Sequence, residues 1–480
     1  MTTTNLPHYF TAALDYLHHW FKYQNLLDPH TPGIQAAISY REEVVFNRAY
    51  GLARLDPPQA LTTGHIFRAA SQSKSVTAAC ILILVDRGLI KLTDYVGDYL
   101  PFIARHFDRR YHKITIEQVL EHAAGLWSDG DNQDFWWGDL DFPNAEELEA
   151  FYTRTSLAID PLSRFKYSNF GYGLLGLVIE KISQNSYSDF IRQNIADPLN
   201  LNIWAGDYRD ELVAFPLPPS PPLAPPLSYV TGYSQVTPTG QQAAMPANVY
   251  THALAASSGL CTNAENLCRF FASLLGSQSS LLSAKSRTRM LARKWQIPDD
   301  SHGLGYATGL VHEEHQGRSL LGHHGTMSGQ VGKTLFSPKD DLCVSILANS
   351  FTANVSGWQR GVWHILDFFE NHLQDESHLQ KYQGHYFDLL RSIYFVAIGN
   401  KLYASNPAAL TPFENCRELE HVEGHKFRII RESGYGNFGQ CAFFAPSPEA
   451  IDNTISQVHY AGYTLRQADN FEQYLARKHG

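Results

Sequence analysis

Apolar side chains fall at Phe10, Leu14, Leu17 and Phe21. That spacing marks one face of a helix and predicts a helical segment over residues 5–26. Asp28-Pro29-His30-Thr31-Pro32-Gly33 breaks it. Residues 34–40 and 44–49 then read as two strands joined by a tight turn at Arg41-Glu42-Glu43. From about Ser71 to Arg87 the pattern differs in kind. Ala78, Ala79, Cys80, Ile81, Leu82, Ile83, Leu84 and Val85 leave no polar face, and Gly88 closes the run. A helix apolar on every side has to be buried. Its first turn is therefore held rigidly inside the protein, which suits a site that needs fixed geometry.

The middle of the chain reads as helices and long loops. Residues 216–226 (PLPPSPPLAPP) exclude a helix or central strand and predict an exposed polyproline-II crossing. Residues 333–337 and 342–349 read as strands about the turn Pro338-Lys339-Asp340-Asp341, with a helix over 355–373 after them. Beyond Asp375-Glu376-Ser377 short alternating runs appear at 393–398, 402–403, 418–422, 426–430 and 457–465. Short strands between glycine turns predict a small β-barrel or sandwich, with a domain boundary near residue 376. No internal repeat is visible.

Composition narrows the function classes. The chain has 480 residues, 44% hydrophobic and 18% charged, which is enough for a large core and too little charge for a disordered chain. The formal charge of −9 leaves no basic surplus to neutralise phosphates, so no nucleic acid partner is expected. The longest apolar run, residues 76–85, is too short to span a bilayer, so no membrane partner is expected either. MTTTNLPHYF has neither a basic start nor an apolar stretch, and a cytoplasmic location follows as the expectation. The six cysteines form no CxxC pair and read as buried free thiols. His312-Glu313-Glu314-His315 lacks the HExxH spacing and reads as a loop or strand edge rather than a metal site. Nothing in the sequence calls for a metal or an organic cofactor, and none is expected.

Three segments carry candidate chemistry. Ser71-Gln72-Ser73-Lys74 opens the buried helix, and positions three apart share a helix face. The Ser71 hydroxyl and the Lys74 amine can therefore touch, and a buried ammonium loses its proton more readily. A second match to this spacing, Ser163-Arg164-Phe165-Lys166, has no such helix behind it. In Tyr167-Ser168-Asn169 a phenol beside a cationic lysine is expected to ionise more easily, to take the Ser71 proton and to pass it on. The same tripeptide also reads as a plain turn. Gly322-His323-His324-Gly325-Thr326 precedes a strand; Gly325 permits close approach of a substrate backbone, and His323 orients the Tyr167 hydroxyl or meets substrate, unless the segment is a bend with exposed histidines. Trp127, Phe135, Trp136 and Trp137, together with Asp129, Asp131 and Asp134, read as a cleft lining that favours an amine or as a packed surface loop. His122-Ala123-Ala124-Gly125-Leu126, just before them, carries no derivable chemistry.

Together, Ser71-x-x-Lys74, Tyr167-Ser168-Asn169 and His323-x-Gly325 resemble the three motifs of the serine β-lactamase and penicillin-binding-protein superfamily. The His-x-Gly form is similar to that of its D-aminopeptidase and class C-related branch. Phe67-Arg68-Ala69-Ala70 and Ser257-Ser258-Gly259-Leu260 add to the likeness, which covers roughly residues 30–370, and the tail from about 378 resembles the lipocalin-like barrel appended in some members. The resemblance implies an α/β (α+β) fold, with an antiparallel sheet flanked by helices and an all-helical subdomain over residues 1–376. A small C-terminal β-barrel over 377–480 follows. It implies a covalent serine hydrolase in which Ser71 attacks a carbonyl and Lys74 and Tyr167 share the base work, the division between them being open. Asn169 and His323 would meet substrate, and the backbone N–H groups of Ser71 and Thr326 would hold the oxyanion.

The absent third-motif lysine weakens an anchor for a free carboxylate, and Ala123 and Ala124 stand where relatives carry two hydroxyls. D-amino-acid-containing peptides or small esters are therefore expected ahead of β-lactams. A β-lactam-binding or β-lactamase-type protein, or a sensor acylated without turnover, is the alternative. The expected partner is a small-molecule or peptide substrate, with oligomers through the C-terminal domain left open.

Overall fold

Helix α1 spans His8–Leu27, and the proline–glycine break leads into strands β1 (Gly33–Tyr40) and β2 (Glu43–Arg54). The computed structural model describes residues 6–138, 140–205, 228–246, 249–277, 281–298, 303–372, 377–432, 436–446, 454–468 and 476. The proline-rich stretch 216–226 lies outside them. After β2 come β3 (Gln59–Ala60), β4 (Phe67–Ala70) and helix α2 (Ser73–Asp86). Helices α3 (Ile116–Leu120), α4 (Ala145–Arg154) and α5 (Asn169–Ser183) follow. Then come β5 (Trp204–Ala205), α6 (Ala255–Ser258), β6 (Leu260–Thr262) and α7 (Ala264–Leu275). Strands β7 (Trp295–Gln296), β8 (Gly305–Tyr306), β9 (Val311–His315), β10 (Arg318–Met327), β11 (Gln330–Ser337) and β12 (Leu342–Ala348) lead to α8 (Val355–His372).

By packing, the chain divides into Asp28–Ser356 on one hand and Met1–Leu27 with Gly357–Gly480 on the other. This division counts α1 and nearly all of α8 with the C-terminal strands, whereas a cut at residue 376 leaves them with the larger part. In the larger unit nine strands form an antiparallel sheet in the order β3-β2-β1-β12-β11-β10-β9-β8-β7. A three-stranded sheet, β4-β6-β5, stands apart from it. Every side chain of α2 from Ser73 to Leu84 is buried, as an apolar surface on all sides requires. Gly88 takes φ 72 just past the helix end, the left-handed stop expected there.

The smaller unit holds a closed barrel of eight antiparallel strands. They are β13 (Gly384–Phe387), β14 (Ser392–Ile398), β15 (Lys401–Ser405), β16 (Arg417–Glu423), β17 (Lys426–Arg431), β18 (Cys441–Pro446), β19 (Ile455–Tyr460) and β20 (Tyr463–Gln467). The run at 457–465 is a hairpin rather than one strand, because Ala461 and Gly462 both take positive φ and turn the chain. Tyr386, Phe395, Phe427, Phe444 and Tyr460 are buried in one cluster, with Phe444 5.2 Å from Phe395 and 5.4 Å from Phe427 between ring centres. Rings of this size fill an eight-strand barrel. Helix α1 is tied to it by Tyr16 Oη to Ser405 Oγ at 2.9 Å and Gln24 Nε2 to the Pro407 carbonyl at 2.9 Å.

The six cysteines are free, four buried and Cys416 and Cys441 half-buried. Among the described residues no helix is long and apolar enough to cross a membrane. Among the same residues no group of three or more His, Cys, Asp or Glu side chains is placed to hold a metal ion.

Candidate active site

Ser71 sits in the turn between β4 and α2. Ala70, just before it, is held at φ 48 despite its side chain, a conformation that persists only where surrounding structure enforces it. The Ser73 hydroxyl supplies part of that enforcement. It donates to the Ala70 carbonyl at 2.6 Å and accepts the Leu260 N–H at 2.9 Å, pinning the start of α2 to β6.

One turn on, Lys74 is fully buried. Its Nζ lies 3.1 Å from Ser71 Oγ, 2.6 Å from Asn169 Oδ1 and 2.9 Å from the Ser257 carbonyl. Burial holds the ammonium well below the usual lysine range, with the charge of Asp129 pulling the other way. Tyr167 Oη donates to Ser71 Oγ at 2.9 Å. The phenol does not ionise easily, contrary to the reading from sequence: burial pushes it up, the Ser71 bond lowers it less, and Asp129 raises it further. Loss of water around the anion outweighs the neighbouring amine. In the resting site the amine is thus the group able to be neutral, while the phenol keeps its proton.

The Tyr167-Ser168-Asn169 segment is not a plain turn but the start of α5. Ser168 is the N-cap, its hydroxyl accepting the Gly171 N–H at 2.7 Å as a capping serine should. The same hydroxyl donates to the Trp127 carbonyl at 2.5 Å, and the Ser168 N–H donates to His122 Nδ1 at 3.1 Å. The cap therefore fixes both flanking side chains, Tyr167 on Ser71 and Asn169 on Lys74. The His122 ring packs 4.3 Å from that of Tyr167. Neither His122 nor the Ser257 carbonyl was legible as part of the site. The His122 segment offered no motif chemistry, and a main-chain carbonyl leaves no trace in a sequence. The second serine–lysine match, Ser163 and Lys166, is split: Ser163 bonds Asp160 and Lys166 reaches Ser128.

Gly322 to Thr326 lies within β10. His323 and Gly325 point to one face and His324 and Thr326 to the other, the first pair buried and the second exposed. His323 Nδ1 donates to the His324 carbonyl at 2.7 Å, which fixes the proton there. Nε2 is left to accept from Tyr306 Oη at 3.3 Å. Burial, His324 and Lys74 hold this imidazole well below the usual histidine range. It is neutral, spent on its neighbours, and not bonded to the Tyr167 hydroxyl. At Gly325 any Cβ would lie 2.1 Å from the Ala69 carbonyl oxygen. Gly325→Ala is expected to displace the backbone leading into Ser71, costing about 1–3 kcal/mol of stability and at least about 100-fold in ester hydrolysis. Thermal unfolding and initial rates measure both; a variant with unchanged melting and rate would contradict the close approach.

Thr326 owes its placement to the hairpin. Strands β10 and β11 are joined by Ser328-Gly329, both at positive φ, with Met327 opposite Gln330 and Gly325 opposite Gly332. Such a two-residue turn closes on a hydrogen-bonded pair, and bonded pairs alternate along the ladder. Thr326 therefore turns its N–H away from β11. On that side β9 pairs only with Arg318 to Gly322.

The aromatic loop is packed only in part, Trp127 and Trp137 being exposed. Phe135 is buried against Phe142, and Asp131 pairs with Arg154 at 2.7 Å. Asp129 differs: its Oδ1 accepts from Asn169 Nδ2 at 2.7 Å and from Trp136 Nε1 at 3.2 Å.

A mixed α/β frame bringing a serine hydroxyl, a buried amine and a phenol within hydrogen-bond reach defines a site of the serine-hydrolase type. A family model described as Beta-lactamase matches residues 22–361, and the chain belongs to that family of serine hydrolases. It is similar to Protein flp of Staphylococcus aureus (28% identical over 172 residues, 36% of this chain and 34% of that protein), so it spans about a third of the length of such relatives. In structure it is similar to an octameric penicillin-binding protein homologue from Pyrococcus abyssi (22% identical, 94% of this chain and 99% of that one, TM-score 0.63). It also resembles D-amino acid amidase from Ochrobactrum anthropi SV3 (20% identical, 75% and 99%, TM-score 0.58).

Proposed function

We propose that the protein hydrolyses amides or esters through an acyl-enzyme on Ser71, with D-amino-acid-derived amides and peptides as the preferred class. The observation that carries this reading is the placement of Ser71 Oγ, 3.1 Å from a buried, proton-poor Lys74 and 2.9 Å from Tyr167. In its neutral form the amine takes the hydroxyl proton as Ser71 forms its bond to the substrate carbonyl carbon. The backbone N–H groups of Ser71 and Thr326 stabilise the oxyanion. Tyr167, which holds its proton at rest, donates it to the leaving nitrogen or oxygen, and water then cleaves the acyl bond by the reverse transfers.

The neutral, internally bonded His323 supports ranking carboxylate-bearing β-lactams below amides and esters. The amidase named among the fold neighbours supports the D-amino-acid class. Self-association is part of the same reading, on the precedent of the octameric neighbour.

Intact-mass measurement after treatment with a fluorophosphonate tests the nucleophile, a single adduct on Ser71 being expected. Turnover of D- over L-phenylalanine amide tests the substrate class. Because Lys74 must be neutral to act, kcat/KM is expected to rise with pH through one limb below the usual lysine range. A flat profile would remove Lys74 from that role. A stable penicillin adduct with no turnover of any amide or ester would replace the hydrolase by a sensor.

A further inference from the structure

Asp129 is nine-tenths buried, yet it touches neither Ser71 nor Lys74 directly. Its importance follows from counting donors and acceptors. Burial pushes the Asp129 carboxyl up, while its hydrogen bonds to Asn169 and Trp136 and the charge of Lys74 pull it down. Its Oδ1 already accepts from the Trp136 indole, a pure donor, so Asn169 must present its NH2 group to that oxygen. The carboxamide is planar, and its Oδ1 is thereby turned to Lys74 Nζ at 2.6 Å. The Ser257 carbonyl, at 2.9 Å, is a second pure acceptor on the same nitrogen. A neutral amine carries two N–H bonds and one lone pair. Two acceptors take the two N–H bonds, and the lone pair is left for the third neighbour, Ser71 Oγ at 3.1 Å. Were the Asn169 amide reversed, its own N–H would occupy that lone pair and the base would be quenched.

We propose that Asp129 is a positioning residue that locks the orientation of the Asn169 amide and so aims the Lys74 lone pair at Ser71. This rests on the proposed hydrolase mechanism and deepens it. Asp129 also acts through its charge. It faces Lys74 and Lys166, and the phenols of Tyr152 and Tyr167. Lys74 in turn faces His122, His323 and His324, whose positive forms its own charge disfavours. Of these groups only Asp129 brings a negative charge that favours the ammonium. Removing that charge makes Lys74 lose its proton at lower pH.

The test uses Asp129→Asn and Asp129→Ala in the full chain, with Ser71→Ala alongside. The substrates are p-nitrophenyl acetate and D-phenylalanine p-nitroanilide with and without an N-acetyl group. In Asp129→Ala, kcat is expected to fall at least about 50-fold with KM within about threefold, as the lone pair is no longer aimed. Asp129→Asn can still accept from Asn169 and Trp136, so it is expected to recover most of kcat. Its acidic limb of kcat/KM should lie about one pH unit below that of the parent. If Asp129→Ala does not fold, the limb of Asp129→Asn decides alone. An unmoved limb with Ser71→Ala inactive overturns the role of Asp129 and leaves the hydrolase standing. Full activity in Ser71→Ala overturns the hydrolase itself. A loss confined to KM for the free-amine substrate would make Asp129 an ammonium contact instead, and overturns the positioning role.

Discussion

Replacing Ser71 by alanine is expected to lower kcat/KM for a small ester by on the order of 10⁵-fold, with the melting temperature within about 3 °C of the parent. Ser71 is half-buried, and its hydroxyl donates to the Lys74 lone pair and accepts from Tyr167. Its removal therefore leaves the Lys74 lone pair and the Tyr167 hydroxyl each short of one partner at a half-exposed position, a loss of about 1 kcal/mol. The chemistry suffers far more, because no other hydroxyl lies on both the amine and the phenol among the described residues. Initial rates with p-nitrophenyl acetate, paired with calorimetry, separate the two effects. Activity within tenfold of the parent would end the acyl-enzyme account.

Lys74→Met is expected to be as damaging to catalysis, at about 10⁴-fold or more, yet to change stability little. The methionine keeps the bulk of the stem and removes an ammonium that burial disfavours, a relief that by itself stabilises. Against this, Asn169 Oδ1 and the Ser257 carbonyl lose a donor, at about 1–3 kcal/mol each. The opposing contributions leave the melting temperature within about 4 °C at neutral pH. The pH dependence is more telling. Folded Lys74 binds its proton less tightly than the unfolded chain does, so the parent gains stability as pH rises from the depressed value toward the ordinary one near 10.4. The variant lacks that gain, and the difference in melting temperature should drift in favour of the parent with rising pH. A constant difference across that window would mean that Lys74 is not held deprotonated by burial.

The parts of this site that sequence made legible are those where one residue's type implies its surroundings. An all-apolar helix has to be interior, so the sequence alone places Ser71 and Lys74 at its buried start. Tyr167-Ser168-Asn169 was legible as a motif but not as a helix cap, because capping depends on where the next turn begins. His122, Asp129 and the Ser257 carbonyl were harder for a different reason. Their contribution is a partner brought close by folding, 40 residues from Asp129 to Asn169 and 183 from Lys74 to Ser257. The barrel was visible as short strands between turns. Two of its strands, β13 and β18, escaped notice, and one run concealed a hairpin whose turn begins at an alanine, a residue that seldom takes positive φ. The His323 alternation was hidden in the same way: a strand turns each successive side chain to the opposite side, and a motif written as letters does not say which.

The ring-filled interior of the eight-strand domain has a consequence for any account of its use. A hydrophobic messenger, pigment or lipid tail entering there would have to displace the packed rings of Tyr386, Phe395, Phe427, Phe444 and Tyr460. Engineering it into a carrier would first require hollowing it out, one aromatic at a time, at a few kcal/mol for each.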